Sequence, residues 1–304
     1  MGMRSPDANA QKAVVEEKTD FVYDGLTFTK KGTNKLTWYG MPSFGNGLVK
    51  WWKQLQAFLS FITSQEKHQV VVMDARKRAL DYKTCGFTLR PFKCKVTDWA
   101  QATFSESEQQ KILFKQLEAE VRKLHPDVHK VEIGGVLLRG GAGSNPPATN
   151  GLHLDYYPDW ERHREYRGDE KVEDKSGLEM RIVLGLWMPR EMANPVYDYP
   201  LLIGDASTFT SEDVVPMEQQ FTEIAEGGKI RNVRNLAAGA PVFADRQRWY
   251  YYHEQTCEEL VIFRHLTAPP GGKACFHGAI QQPLPEGKET RKSVESRAFL
   301  YFKK

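Results

Sequence analysis

The stretch Gly151-Leu152-His153-Leu154-Asp155-Tyr156-Tyr157 places an imidazole and a carboxylate two residues apart. In an extended strand side chains alternate with period two, so His153 and Asp155 would share one side and Leu154 the other. Such a pair can hold a small cation. One further histidine would complete two imidazoles and one carboxylate on a single face of an iron(II), leaving positions open for a co-substrate and oxygen. By itself His-x-Asp is a common chance pattern, served equally well by a hydrogen-bonded surface pair. The remaining histidines decide its weight.

Seven others are present. His125 and His129 flank a helix end, His163 lies in the charged run Glu161-Arg-His-Arg-Glu165, His68 precedes a strand, and His253 and His265 fall at strand ends. His277 differs, because it closes the apolar run Lys273-Ala-Cys-Phe-His277 after a Gly-Gly turn, far along the chain from Asp155. In a double-stranded β-helix, strands that distant in sequence lie side by side. Beyond it, Arg291, Ser293, Glu295 and Arg297 share a face by alternation. A dicarboxylate chelating the metal needs a fixed cation for its far carboxylate, which arginine's planar fork supplies and a hydroxyl supplements. Arg297, inside the last strand, is the first choice for that anchor. Arg291 with Ser293 is the second. Either arginine could instead simply pair with Glu295.

The elements that must position these groups are mainly strands. Phe21–Phe28 and Lys35–Tyr39 flank Lys30-Lys-Gly-Thr-Asn34, which suggests a hairpin. Residues 48–62 place Trp51, Leu55, Phe58 and Ile62 at helical spacing, and Gln69–Met73 and Phe87–Arg90 read as short strands. Residues 105–124 form the clearest helix, with Ser105 and Glu108 fitting a capping box and Leu113, Leu117, Val121 and Leu124 in one stripe. Val131–Arg139 follows as a strand, and the Gly/Pro/Asn-rich 140–150 delivers the chain to Leu152–Asp155. Further strands are expected at Arg181–Trp187, Pro200–Gly204, Pro241–Ala244, Trp249–Tyr252, Glu259–Leu266, Lys273–His277 and Ser293–Phe302. Short strands with Gly/Pro turns favour a sandwich or barrel. The expected organisation is a loose arm (1–18) and one β-domain over 19–304. That domain carries an N-terminal elaboration to about residue 130 and a charged insert, 156–178, that could cover the site.

Composition narrows the partners. The 42 basic and 39 acidic side chains leave a formal charge of +3, with no concentrated basic patch for nucleic acid. Cys85, Cys94, Cys257 and Cys275 contain no Cys-x-x-Cys and suit free thiols in a reducing compartment. No apolar run approaches membrane-spanning length. A cytoplasmic enzyme with a small-molecule substrate and no membrane or nucleic-acid partner is expected.

The chain resembles the non-haem iron(II), 2-oxoglutarate-dependent oxygenases, and within them the gibberellin desaturase and 7α-cephem-methoxylase-like natural-product oxidoreductases. The likeness is carried by Val72-Met-Asp-Ala-Arg76, Thr84-Cys-Gly-Phe87, Leu152-His-Leu-Asp155 and Arg181-Ile-Val-Leu-Gly-Leu-Trp-Met-Pro189. It continues through Pro200-Leu-Leu-Ile-Gly-Asp205, Arg248-Trp-Tyr-Tyr251, Glu258-Glu-Leu-Val-Ile-Phe263, His277-Gly-Ala279 and Arg291-Lys-Ser-Val-Glu-Ser-Arg297. The resemblance implies a double-stranded β-helix (jelly-roll, cupin-like) barrel with flanking helices. It also implies His153, Asp155 and His277 as iron ligands, the terminal arginines as 2-oxoglutarate anchors, and O2 as oxidant. The strand ending Gly185-Leu-Trp-Met-Pro189 departs from the family's more usual Asn-Val-Trp-Arg-Pro, which affects the substrate pocket rather than the metal. Succinate and CO2 would be the co-products of hydroxylation, desaturation or oxidative cyclisation. Tyr156, Tyr157, Trp160 and Trp187 are expected at the pocket as an aromatic rim or a plug in the barrel mouth. Arg139 or Arg181 is expected to meet a substrate carboxylate. The competing readings are a non-catalytic binding barrel and a zinc hydrolase using the same triad.

Overall fold

The computed structural model describes residues 19–33, 36–38, 55, 59, 60, 62–141, 148, 151–156, 177–224, 230–267 and 273–304. Among them the strands are β1 (Phe21–Thr29), β2 (Leu36–Trp38), β3 (Gln65–Asp74), β4 (Phe87–Pro91), β5 (Lys130–Gly140), β6 (Leu178–Pro189) and β7 (Leu201–Gly204). β8 (Val214–Ile224), β9 (Ile230–Pro241), β10 (Trp249–Tyr251), β11 (Glu259–Thr267), β12 (His277–Ala279) and β13 (Lys292–Lys303) complete them. The helices are α1 (Tyr82–Cys85), α2 (Trp99–Ala102) and α3 (Glu108–Leu124). Two five-stranded sheets, β4-β11-β6-β13-β5 and β1-β3-β10-β7-β12, and a three-stranded β2-β8-β9 make up the barrel.

β6 explains the layering. Its run from Arg181 to Trp187 is apolar without alternation because both faces are covered. Leu184, Leu186 and Met188 pack outward against Leu113, Leu117 and Val121 of α3. Trp187 packs inward with Val261 and Phe263 of β11, against Leu201, Ile203 and Tyr250 of the second sheet. Each of the fully buried Leu113, Leu117 and Val121 contributes roughly 1.5–3 kcal/mol by leaving water. α3 thereby holds the wall from outside and leaves the inner face for chemistry.

β5 reaches that inner face through a bulge. Against β13 the register passes from Glu295–Leu137 to Arg297–Gly134, so Gly135 and Val136 oppose Ser296 alone. Gly135 takes φ +70°, a conformation that only glycine adopts readily. The extra residue keeps Ile133 and Val136 both on the helix-packed side.

Several elements differ from the sequence expectation. β1 does not form a hairpin with β2. It pairs antiparallel with β3, and β2 runs parallel to β8. Buried Leu26 and Phe28 need apolar cover, and they find it in Val70, Val72 and Trp249. The cap of α3 is Ser107, whose Oγ accepts the Gln110 amide at 3.1 Å, rather than Ser105. Glu106 between them takes φ 63°, which no right-handed helix can include. The long pair β8–β9, in register from Val214–Pro241 to Ile224–Ile230, replaces the strand expected at Pro241–Ala244. His277 opens a strand instead of closing one, because the ladder with β7 begins at His277–Ile203. The expected helix at 48–62 and the arm at 1–18 lie largely or wholly outside the described residues. No helix among the described residues is long and apolar enough to cross a membrane.

Candidate metal centre

His153 and Leu154 form two isolated bridges with Asp155 in the bend after them, not the continuous strand the spacing suggests. The amide of His153 donates to the carbonyl of His277, and the amide of His277 donates back, each at 3.0 Å. Leu154 and Gly239 exchange a second such pair at 2.8 and 3.0 Å. Residues directly opposed in antiparallel pairing present their side chains to one face, so the two imidazoles lie side by side with centroids 4.4 Å apart. Gly278 permits the approach, since a Cβ there would stand 3.0 Å from the Gly151 carbonyl oxygen.

Asp155, two residues on, turns back to this face, and its Oδ1 lies 3.4 Å from His153 Nε2. The ligand atoms of His153, Asp155 and His277 all fall within 4.8 Å of one another. His153 Nδ1 bonds to the Gly151 carbonyl at 2.8 Å, and His277 Nδ1 to the Cys275 carbonyl at 3.3 Å. A carbonyl can only accept, so each Nδ1 carries the proton and each Nε2 keeps its lone pair for a metal. Two imidazole nitrogens and one carboxylate oxygen form a donor set that fits iron(II).

The charges around the triad are strongly coupled. Burial opposes ionisation of Asp155, but Arg297, followed by His265, outweighs it and holds the carboxyl well below the usual carboxylate range. Burial lowers His153 too, yet its contacts with Asp155 leave it net raised. Burial and the neighbouring His153 push His277 well below the ordinary histidine value. Burial pulls His265 down to about 3, against the opposing pull of Asp155.

The other anticipated residues divide clearly. Arg297 turns its guanidinium onto Asp155, with Nε 3.1 Å from Oδ2. Arg291, 3% exposed, donates from Nε to Ser293 Oγ at 3.0 Å and from a terminal nitrogen to the Tyr199 carbonyl at 2.6 Å. It lies 4.9 Å over the Trp187 ring, and its ordinary value is lowered to about 10 by burial. Trp187 is buried and its indole nitrogen has no hydrogen-bond partner among the described residues. Arg139 donates to Glu295 at 3.0 Å. Arg181 binds Glu179 and the Lys303 carbonyl at the far end of β6. Tyr156 is a buried plug, packed with Met180, Val183, Leu266 and Tyr301. Tyr157 and Trp160, with most of the insert 156–178, lie outside the described residues.

A cavity beside Asp155 and His277 is lined by Gly134, Gly135 and Leu137 of β5 together with His265 and Glu295. His265 escapes a reading that sets it aside as a strand end. It is 3% exposed, with Nε2 3.6 Å from Asp155 Oδ2. The period-two run Val261, Phe263, His265 on β11 is the signal that places it inside.

A double-stranded β-helix with two histidines and one carboxylate on its inner face is the architecture of the non-haem iron(II), 2-oxoglutarate-dependent oxygenases. A family model described as an oxidoreductase/YMDC permease-like domain matches residues 51–301, and the chain belongs to that family. Curated relatives are fungal. Aspirochlorine biosynthesis protein N of Aspergillus oryzae is 26% identical over 123 residues, 40% of this chain and 48% of that protein. The hydroxylase/desaturase poxK of Penicillium oxalicum is 25% identical over 63% of this chain and 65% of its own length. The alpha-ketoglutarate-dependent dioxygenase phiK of a fungal species is 24% identical over 77% of this chain and 83% of its own length. The chain thus spans about half the length of the first of these and just under two thirds of the second. Among solved structures, one of the iron and alpha-ketoglutarate-dependent endoperoxidase NvfI superposes with TM-score 0.70 at 18% identity. It covers 95% of this chain and 100% of that one, and it shares the fold.

Proposed function

We propose that the chain is a cytoplasmic iron(II)- and 2-oxoglutarate-dependent oxygenase that activates a C–H bond of a small organic molecule in secondary metabolism. The observation that carries this reading is the triad of His153, Asp155 and His277, its ligand atoms gathered within 4.8 Å and both Nδ1 atoms bonded to backbone carbonyls. Iron held there would supply oxygen activation, with 2-oxoglutarate leaving as succinate and carbon dioxide in a hydroxylation, desaturation or oxidative cyclisation. The name alpha-ketoglutarate-dependent dioxygenase carried by one relative supports the same co-substrate, and the name hydroxylase/desaturase carried by another supports the type of reaction. Four free cysteines support a reducing compartment. Residues 19–304 act as one catalytic unit in this reading.

The protein's own residues bind and orient. Arg291 with Ser293 is the 2-oxoglutarate anchor in this proposal. Among the described residues the buried Arg291 guanidinium hydrogen-bonds the neutral Ser293 hydroxyl and Tyr199 carbonyl, with Glu295 and Asp198 acting on it only through space, and a buried cation without a charged partner in contact is costly. A far carboxylate of the co-substrate supplies that charge, with the Ser293 hydroxyl as a second contact. Arg297 is already committed to Asp155.

The carboxylate expected on the substrate loses its partners. Arg139 is paired with Glu295, which itself lines the cavity, and Arg181 is bonded elsewhere. An anionic substrate would meet a compensated arginine and a like charge. Leu137 and Phe263 beside the glycines suit a compact apolar body instead.

Anaerobic titration tests the proposal. Iron(II) and 2-oxoglutarate together, and neither alone, should give a weak visible charge-transfer band, and aerobic turnover should release succinate. A zinc hydrolase or a binding barrel gives neither result.

A further inference from the structure

Asp155 is held asymmetrically. Both Arg297 contacts fall on Oδ2, Nε at 3.1 Å and a terminal nitrogen at 2.5 Å, and His265 Nε2 stands 3.6 Å from the same oxygen. A guanidinium in a purely structural pair would commonly bridge both carboxylate oxygens with its parallel donors. Here Oδ1 is left to face His153 Nε2. The two groups come from strands on either side of β6, since Arg297 and Phe263 both lie opposite Gly185. His265 is clamped by rings, with Phe263 at 4.8 Å, His277 at 5.0 Å and Tyr156 at 5.7 Å. Its Nδ1 is buried without a partner among the described residues, so the ring's polar contact is on the Asp155 side.

We infer that Arg297 and His265 form a positioning pair on Asp155, holding Oδ2 so that Oδ1 is the single carboxylate oxygen offered to the metal. The inference rests on the metal-centre reading. It assigns Arg297 to ligand geometry and not to co-substrate binding.

The test is equilibrium binding of Mn(II), a redox-silent probe, to the full chain, followed by electron paramagnetic resonance beside a thermal melt. Arg297→Gln should weaken Mn(II) binding about 10- to 100-fold, the range found when groups that orient a metal ligand are removed. Arg297→Lys should recover part of the loss. His265→Phe, which keeps a ring in an apolar surround, should weaken binding several-fold. If Arg297→Gln fails to fold, the lysine and phenylalanine variants carry the test, each expected below wild type. Mn(II) affinity within twofold of wild type in the folded variants overturns the pair, whatever their melting temperatures. Lost 2-oxoglutarate affinity with unchanged Mn(II) affinity overturns it too, by making Arg297 the anchor. Wild type that fails to bind Mn(II) at all overturns the metal centre itself, a result distinct from a wild type and variants that bind equally well.

Discussion

Gly185 is the tightest point in the wall beneath the triad, and Gly185→Ala should show how closely the wall is fitted. A Cβ at this position would stand 2.4 Å from Phe263 Cζ, 2.6 Å from Phe263 Cε1 and 2.6 Å from His265 Nε2. None of these atoms is the loose end of a flexible chain. Both rings are buried and both touch His277, at centroid distances of 4.8 and 5.0 Å. Overpacking of this kind costs about 1–3 kcal/mol. Removing a glycine restricts the unfolded chain and returns about 0.4–1 kcal/mol. The net loss of up to about 2.6 kcal/mol should lower Tm by up to roughly 4 °C for a chain of this size. Because the rings retreat toward His277 and Asp155, Mn(II) affinity should fall in the same variant. Gly134→Ala is the control, meeting only the edge of Phe299 at 3.1 Å, and should change little. A Gly185→Ala protein that melts at or above wild type with unchanged Mn(II) affinity would show that the rings have slack and that the wall does not set the centre.

Alanine at His153, Asp155 or His277 should abolish metal binding and turnover with the fold retained, as read by metal titration and circular dichroism. Arg291→Leu should raise the half-saturating 2-oxoglutarate concentration roughly 30-fold to several thousand-fold, the equivalent of about 2–5 kcal/mol, in a succinate-release assay. An effect under threefold would remove Arg291 from the anchor role. Ser107→Ala should destabilise α3 by about 0.5–2 kcal/mol in urea unfolding, with Ser105→Ala neutral. The pH dependence of stability should have a contribution from His125, which burial holds below its ordinary value and which bonds the Tyr82 hydroxyl at 2.9 Å. The unfolded chain takes up that proton first, so stability present above about pH 6.5 is lost as pH falls below it. His125→Gln should therefore lose less Tm than wild type between pH 8 and pH 5.5. Parallel Tm curves would refute this.

The sequence exposes what repeats locally and conceals what depends on distant partners. The α3 stripe was legible because Leu113, Leu117 and Val121 recur at helical spacing. β6 and β13 were legible because buried strands of this length have few alternatives. The pairing of β1 with β3 was not, since only the buried Trp249 and Val72 explain why β1 passes over its nearer neighbour. β8 and β9 were missed because Met217-Glu-Gln-Gln220 and Arg231-Asn-Val-Arg-Asn235 are too polar to register as strands. At the site, period two brought Asp155 onto the face of His153. It said nothing of where Arg297 points, because that depends on Asp155, which lies 142 positions earlier in the chain. The same limit hid His265, whose weight comes only from a carboxylate more than a hundred positions away.

The reciprocal backbone bonds between His153 and His277 have an evolutionary consequence. The two imidazoles are spaced by their own main chains, so their separation does not depend on the chain that leads into or away from them. Substitutions that spare these two bonds can therefore accumulate without moving the two nitrogens. Drift elsewhere in the barrel can alter which molecule is accepted while the reactive centre is inherited unchanged, so a lineage can diversify its chemistry around a fixed pair of imidazoles.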